Sequence, residues 1–434
     1  IIIGNVLRGL STWQTHRFSQ MAGHALATHL LRSYLARPYE YFLTRHSADL
    51  SKNILQEVHQ VVNSVIFPAM SALSRLITAM LLISLLFAAD PLLTLATIVS
   101  LGGAYGITYA LTRALQARLG KKHIAANHGR YYIASEVFSG VKEVKLKGLE
   151  AMSVERYAEP SLSYARGLAL SMTLSQTPRF FLEAVAFGGV LAAMLYLLLA
   201  HDGIAEALPL VSLYAFAGYR LLPALQEIFA SATRIRFSWP SLDLVYQELT
   251  GAPSPVAPIF VYEPLPFTRT IRLENVSYRY PLGERPVIKR ISLEIPHGAR
   301  VGFIGPTGSG KSTAVDLILG LLRPMEGRIL IDDMPLTDEE TIRRWQTRIG
   351  YVPQHIFLAD DTIAANIAFG QHAHEIDRVA VERAARMAQL HGFIVKELPK
   401  GYDTPVGEGG IRLSGGQRQR LGLARALYGD PAVL

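Results

Sequence analysis

Gly305-Pro306-Thr307-Gly308-Ser309-Gly310-Lys311-Ser312 fits the glycine-rich phosphate loop in full, and its reading decides the fold of the C-terminal half. An apolar run, Arg300-Val301-Gly302-Phe303-Ile304, precedes it and is predicted to be a β-strand. Thr313-Ala314-Val315-Asp316-Leu317-Ile318-Leu319 comes after it and is predicted to be a helix. Strand, loop and helix in that order are the context such a loop needs. Its glycines let backbone N–H groups converge on phosphate oxygens, and the helix N-terminus adds positive potential. Lys311 would bring a point charge to the β- and γ-phosphates, and Ser312 would offer its hydroxyl to Mg²⁺.

Outward from the loop, short β-like runs at Thr270 to Leu273, Ile291 to Ile295 and Gly327 to Ile331 alternate with helical ones, an α/β texture. On the N-terminal side lies a proline-dense stretch, Gly251-Ala252-Pro253-Ser254-Pro255-Val256-Ala257-Pro258, continuing to Pro264 and Pro266. Proline at this density favours an extended, semi-rigid spacer. The expected division is a helical domain over 1–249, a linker over 250–267 and an α/β domain over 268–434.

The first of these domains has a different chemistry. Four apolar runs reach the ~20 residues that a membrane-crossing helix needs. They lie roughly at Val65 to Ala89, Leu92 to Leu111, Phe180 to Ala200 and Ile204 to Leu225, and the opening residues read as the end of an earlier span. Only 18% of the chain is charged, against about 25% in a typical soluble protein. Cysteine is absent, which excludes disulfides and thiolate metal sites. The net charge of +8 is spread without a dense Lys/Arg tract or interleaved aromatics, so nucleic acid is not an expected partner. Instead, Arg113, Arg118, Lys121, Lys122, Arg130, Lys142, Lys145, Lys147, Arg156 and Arg166 sit between the second and third spans. The connectors Asp90-Pro91 and His201-Asp202-Gly203 carry no Lys or Arg. By the positive-inside bias the long basic segments, and the C-terminal half, face the cytoplasm. Two cytoplasmic turning points, Arg37 to Phe42 and Phe138 to Lys145, are suited to docking on another domain. The chain starts at Ile1 inside an apolar run and ends at Pro431-Ala432-Val433-Leu434 in a strand-like run, so both ends read as truncations; no signal peptide is legible.

Leu413-Ser414-Gly415-Gly416-Gln417 lies downstream of the phosphate loop. With that pair of motifs the chain resembles the ATP-binding cassette (ABC) family. The resemblance implies a polytopic all-α membrane domain of exporter type joined to an α/β P-loop cassette. It implies ATP and Mg²⁺ as cofactors, held by Gly305, Pro306, Thr307, Gly308, Ser309, Gly310, Lys311, Ser312 and Thr313. Ser414, Gly415, Gly416 and Gln417 of one cassette would close over the γ-phosphate held by a second. Tyr280, in Tyr278-Arg279-Tyr280-Pro281, occupies the place of the adenine-stacking aromatic. Gln354, in Tyr351-Val352-Pro353-Gln354, resembles the glutamine that touches Mg²⁺ and the attacking water; it and Lys311 are the catalytic candidates. Gly407-Glu408-Gly409-Gly410 resembles the loop before the signature, with Gly409 where arginine is common. The family's Mg²⁺-holding Asp, its catalytic Glu and its switch His would lie beyond Leu434, so residues 1–434 alone lack a general base.

One membrane domain fused to one cassette resembles a half-transporter, which works as a homodimer or a pair of related halves. Phe42 to Leu50 and Tyr214 to Pro223 resemble flippases of lipid-linked oligosaccharides. The resemblance implies export or flipping of an amphipathic, lipid-like anion by a multi-pass protein of the bacterial inner membrane. A multidrug or peptide exporter is one alternative, and a non-transporting ATP-gated channel or regulator is another. Arg75 and Arg220 fall inside apolar spans, where a cation costs at least ~2.5 kcal/mol and tends to face a cavity or a partner. They are candidates to attract an anionic substrate; alternatively they snorkel, or pair with Glu183 or Glu227.

Overall fold

A computed structural model describes residues 2–200, 204–251 and 262–434; side chains are described there except at Asn5, Arg8, most of 178–211 and Glu408. Two compact units divide the chain, residues 1–37 with 45–256 and residues 38–44 with 257–434. The short turn at Pro38–Thr44 therefore belongs with the C-terminal unit.

The first unit is a set of long helices. They run Ile2–Leu35, Ser47–Ala89, Pro91–Ser139, Glu150–Ala200 and Ile204–Thr250. The break between the second and third has a chemical cause. The Asp90 side chain accepts the Leu93 N–H at 3.1 Å and caps the new helix, while Pro91 occupies its first turn, where no N–H is needed. Among the described residues, Ser47–Ala89 and Pro91–Ser139 are long and apolar enough to cross a membrane. These carry the first two predicted spans. The third and fourth lie on Glu150–Ala200 and Ile204–Thr250. Most of their side chains, with the connector His201-Asp202-Gly203, fall outside the described residues. Leu81, Leu92 and Leu111 are exposed by 68%, 74% and 76%, an apolar surface that suits lipid or another apolar partner and not water. The predicted second span continues without a break to Ser139, where Gly140 ends it.

Packing inside this unit is close and partly polar. A Cβ built on Gly120 would sit 2.0 Å from the Phe237 carbonyl oxygen, so only glycine permits that helix crossing. His123 stacks on Tyr164 at 4.1 Å and lies 4.9 Å from Phe237. Two π-helical turns, Asn53–Glu57 and Val62–Ile66, interrupt the helix Ser47–Ala89. Lys52 and Glu57, 3.6 Å apart, are buried beside the first, with 3% and 2% of their side chains exposed. The second predicted turning point holds a short helix, Val141–Lys147, ended by Gly148 in the left-handed region (φ 63°).

The second unit contains a four-stranded antiparallel sheet of β1 (Thr270–Tyr278), β2 (Ile288–Pro296), β3 (Glu326–Ile331) and β4 (Met334–Pro335), in the order β2-β1-β3-β4. β1 alternates in burial, and Ile271, Leu273, Val276 and Tyr278 join Leu317, Leu322 and Trp345 in a core under the sheet. The Trp345 indole donates to the Ile318 carbonyl at 2.7 Å, which fixes the helix Lys311–Ile318 on that core. Of the stretch predicted as linker, residues 252–261 lie outside the described residues, while Leu265 and Phe267 are part of the core. A second core, with Leu390, Val406 and Leu421, belongs to the helical part that carries Gly415–Leu427.

One predicted strand is corrected. Arg300 to Ile304 joins no ladder among the described residues, and Ile304 is 98% exposed. An extended run becomes a strand only when a neighbour takes up its N–H and C=O groups. The strand expected at the C-terminus is represented by one parallel bridge, Ile349 to Val433, with the Gly350 N–H donating to the Val433 carbonyl at 2.8 Å.

Candidate functional site

The phosphate loop is built by its glycines. Gly308 and Gly310 hold φ of 82° and 89°, a region that L-side chains rarely enter. A Cβ on Gly310 would meet Ile288 at 2.8 Å, whereas one on Gly308 would meet nothing within 4 Å. Gly310 closes the loop against β2, and Gly308 leaves the cradle open. Gly310 leads directly into the helix Lys311–Ile318, so the helix's unpaired N–H groups and dipole face the loop.

Lys311 turns its ammonium back into this loop. Nζ donates to the carbonyls of Gly305 at 2.9 Å and Pro306 at 2.8 Å, and lies 3.5 Å from Ser309 Oγ. Ser312 is exposed on the first turn of the helix, while Thr313 is buried. The Thr313 hydroxyl shares a hydrogen bond of 3.0 Å with the Tyr280 hydroxyl. Tyr280 is half-buried against the core and stands edge-on to Tyr278, with centroids 5.1 Å apart. The structure thus brings Tyr280, Gly305 to Ser312 and Thr313 into one cluster.

Two further sites remain apart from that cluster. Gln354 is exposed, and among the described residues no hydrogen bond joins it to the phosphate loop. Ser414 caps the helix Gly415–Leu427 in a capping box: its hydroxyl accepts the Gln417 N–H at 3.3 Å, and Gln417 Oε1 accepts the Ser414 N–H at 2.7 Å. Gln417 is thereby committed to holding the turn. The Ser414 O–H remains available to donate, and a Cβ on Gly415 or Gly416 would meet nothing within 4 Å, so the helix start is open. The preceding loop suits glycine too: Gly407, Gly409 and Gly410 all have positive φ, and Gly409, at 58°, would strain an arginine.

The cluster fits a nucleoside triphosphate: an ammonium, a nest of backbone N–H groups, a helix N-terminus and an aromatic converge. Among the described residues no group of three or more His, Asp or Glu side chains could hold a metal ion. A magnesium ion would rely on the Ser312 hydroxyl and the Gln354 amide oxygen beside the phosphates, hard oxygen donors of the right kind.

Two contacts at the site have no signature in the sequence. The Tyr278 hydroxyl donates to Glu40 Oε1 at 3.3 Å, across 238 residues of sequence. Burial and the Glu40 carboxylate push that phenol's pKa up, and burial together with Asp316 raises that of the neighbouring Tyr39. Arg425, on the helix that Ser414 caps, donates to the Phe357 carbonyl at 2.7 Å and to the Asn366 carbonyl and side chain at 2.8 and 3.0 Å. It thereby fixes the segment after Gln354.

Arg75 and Arg220 are both exposed in the helical unit. Arg220 lies 5.8 Å from the Phe216 ring one turn earlier. Glu227 accepts a hydrogen bond from Ser71 at 3.4 Å, and among the described residues neither arginine forms an ion pair. The Glu183 side chain lies outside the described residues.

Comparison with known proteins covers both units. Residues 2–215 match the family model for the ABC transporter transmembrane region, and residues 288–434 match that for the ABC transporter. The chain is 32% identical over 435 residues to an ATP-dependent lipid A-core flippase of Chromohalobacter salexigens, covering 98% of this chain and 73% of the flippase. It is 30% identical over 444 residues to an ATP-dependent lipid A-core flippase of Cupriavidus metallidurans, covering 100% and 73%. Among solved structures, a bacterial Atm1-family ABC exporter with ATP bound superposes with a TM-score of 0.83 at 25% identity, over 99% of this chain and 74% of that one.

Proposed function

Because this chain belongs to the ABC transporter family, we propose that it is one half of a dimeric exporter that moves an amphipathic, anionic lipid-like substrate out of the cytoplasmic leaflet. The family couples ATP hydrolysis to transport, and the chain is a multi-pass membrane protein. In this reading residues 1–249 form the membrane domain, 250–267 a linker and 268–434 the cassette, which lies on the cytoplasmic side of the inner membrane.

The carrying observation is the Lys311 cluster beside an open helix N-terminus. Lys311 and the loop amides would bind the β- and γ-phosphates, Tyr280 would stack on adenine, and Ser312 with Gln354 would hold Mg²⁺. That ion supplies charge neutralisation on the phosphate oxygens when bound. Gln354 would orient the attacking water. The open amides of Gly415 and Gly416, with the Ser414 hydroxyl, would complete the γ-phosphate site of the second copy. Closing two cassettes on ATP selects one arrangement of the helices, and releasing them selects the other, so differential nucleotide affinity is what does the work.

The lipid-like substrate is supported by the flippase relatives and by two arginines on apolar spans that form no ion pair among the described residues. Lys311→Ala in the full-length protein is expected to lower ATPase activity by at least about a hundredfold, read as phosphate release in detergent. Normal turnover in that variant would overturn the nucleotide site. Stimulation of the wild-type ATPase by drugs or peptides, and not by lipid-linked anions, would replace the substrate reading.

A further inference from the structure

Tyr278 is the last residue of β1, and it is 2% exposed in the core. A hydroxyl at that depth needs a partner. Its partner is Glu40, on the short helix Tyr39–Leu43 in the same compact unit. Glu40 forms no ion pair among the described residues, so its carboxylate is aimed at this hydroxyl. Beyond Tyr278 the ladder stops holding the chain. The register of β1 on β2 shifts between Val276 and Tyr278, and the Val287 N–H donates to the Tyr278 carbonyl as the last tie before a turn from Tyr280 to Gly283. The Tyr280 carbonyl accepts the Gly283 N–H at 2.9 Å in that turn, and its ring is held by side chains, the edge of Tyr278 on one side and Thr313 on the other.

We propose that Glu40 is a positioning residue for the adenine platform, fixing the Tyr278 ring and through it the orientation of Tyr280. The proposal rests on the reading of Tyr280 as the stacking residue. It predicts that the turn carrying Glu40 senses whether adenine is stacked, because tightening Tyr280 and tightening the Glu40–Tyr278 bond are one event. At 3.3 Å this bond is longer than the usual O–H···O distance of about 2.7–2.8 Å. A modest effect on the free protein is the corresponding expectation.

The test is equilibrium binding of Mg·ATP and of Mg·tripolyphosphate to the full-length protein in detergent. Tripolyphosphate reports on the phosphate loop without the base. Tyr280→Ala should weaken ATP about tenfold and leave tripolyphosphate unchanged. Glu40→Ala and Tyr278→Phe should each weaken ATP about three- to fivefold, again sparing tripolyphosphate, and the double variant should be no worse than either single. Glu40→Gln keeps an acceptor oxygen and should bind ATP as the wild type does. If Tyr280→Ala leaves ATP binding intact, the stacking reading is wrong. If it weakens ATP while Glu40→Ala and Tyr278→Phe do not, or if those two lower both ligands equally, the positioning role is wrong.

Discussion

At the scale of single residues, the site depends on groups whose neighbours leave them one task. Arg425 is the clearest example outside the phosphate loop. Its guanidinium stacks 4.6 Å from the Phe369 ring and ties Phe357 and Asn366 to the signature helix. Asn366 is fully buried, so Arg425→Ala takes a donor away from acceptor oxygens in a site without water access. The expected loss is about 1–3 kcal/mol, seen as a lower melting temperature and faster amide exchange over residues 356–367. Unchanged exchange there would show that Asn366 holds the segment alone. Asp332 works in the same local way. Burial acts to raise its pKa, but N–H donors from Thr268, Thr270 and Arg269 and the Thr268 hydroxyl outweigh it, and the value falls below 3.8. A depressed carboxylate stabilises the fold above its unfolded value and loses that contribution as pH drops through the folded one. Asp332→Asn should therefore melt lower than wild type at neutral pH, and the gap should close below pH 3.8. A gap that persists in acid would assign the effect to packing.

Among the elements, helix boundaries follow residue chemistry, and helix interiors carry the surprises. Asp90-Pro91 and Gly140 were legible as stop and start signals because capping is local. The π turns at Asn53–Glu57 and Val62–Ile66 were not, since a single widened turn has no residue signature comparable to a cap. Nor was the Lys52–Glu57 pair, since nothing in the sequence marks either charged residue as buried. Breaking such a pair strands a buried charge. Glu57→Ala is expected to destabilise the helical unit by about 3–5 kcal/mol, with much of this recovered in Lys52→Met/Glu57→Leu. Equal melting of the single and double variants would show that water reaches the pair. Gly120→Ala should cost about 1–3 kcal/mol by forcing two helices apart at the Phe237 carbonyl. The phosphate loop was legible because backbone geometry dictates Gly308 and Gly310, and the Ser414 turn because its motif is contiguous in the sequence. The partners of Tyr278 and Arg425 were hidden for the opposite reason: each contact joins residues far apart in sequence, and no spacing rule connects them.

For the molecule as a whole, low charge and apolar helix faces describe a protein whose solvent is partly lipid. In the proposed function, the two exposed arginines on those helices would contact an acidic headgroup. Arg220→Ala in reconstituted vesicles should slow ATP-dependent movement of an anionic lipid by about tenfold while sparing a zwitterionic one; equal rates for both would remove Arg220 from the substrate path. Lys311 and the Ser414 turn lie on the same chain, yet no hydrogen bond among the described residues joins them. Two inactive proteins should consequently rescue each other. In the proposed homodimer Lys311→Ala and Ser414→Arg would each spoil both ATP sites, but a mixed dimer would collect both lesions in one site and regenerate the other intact. Co-expression should restore turnover that neither parent shows alone.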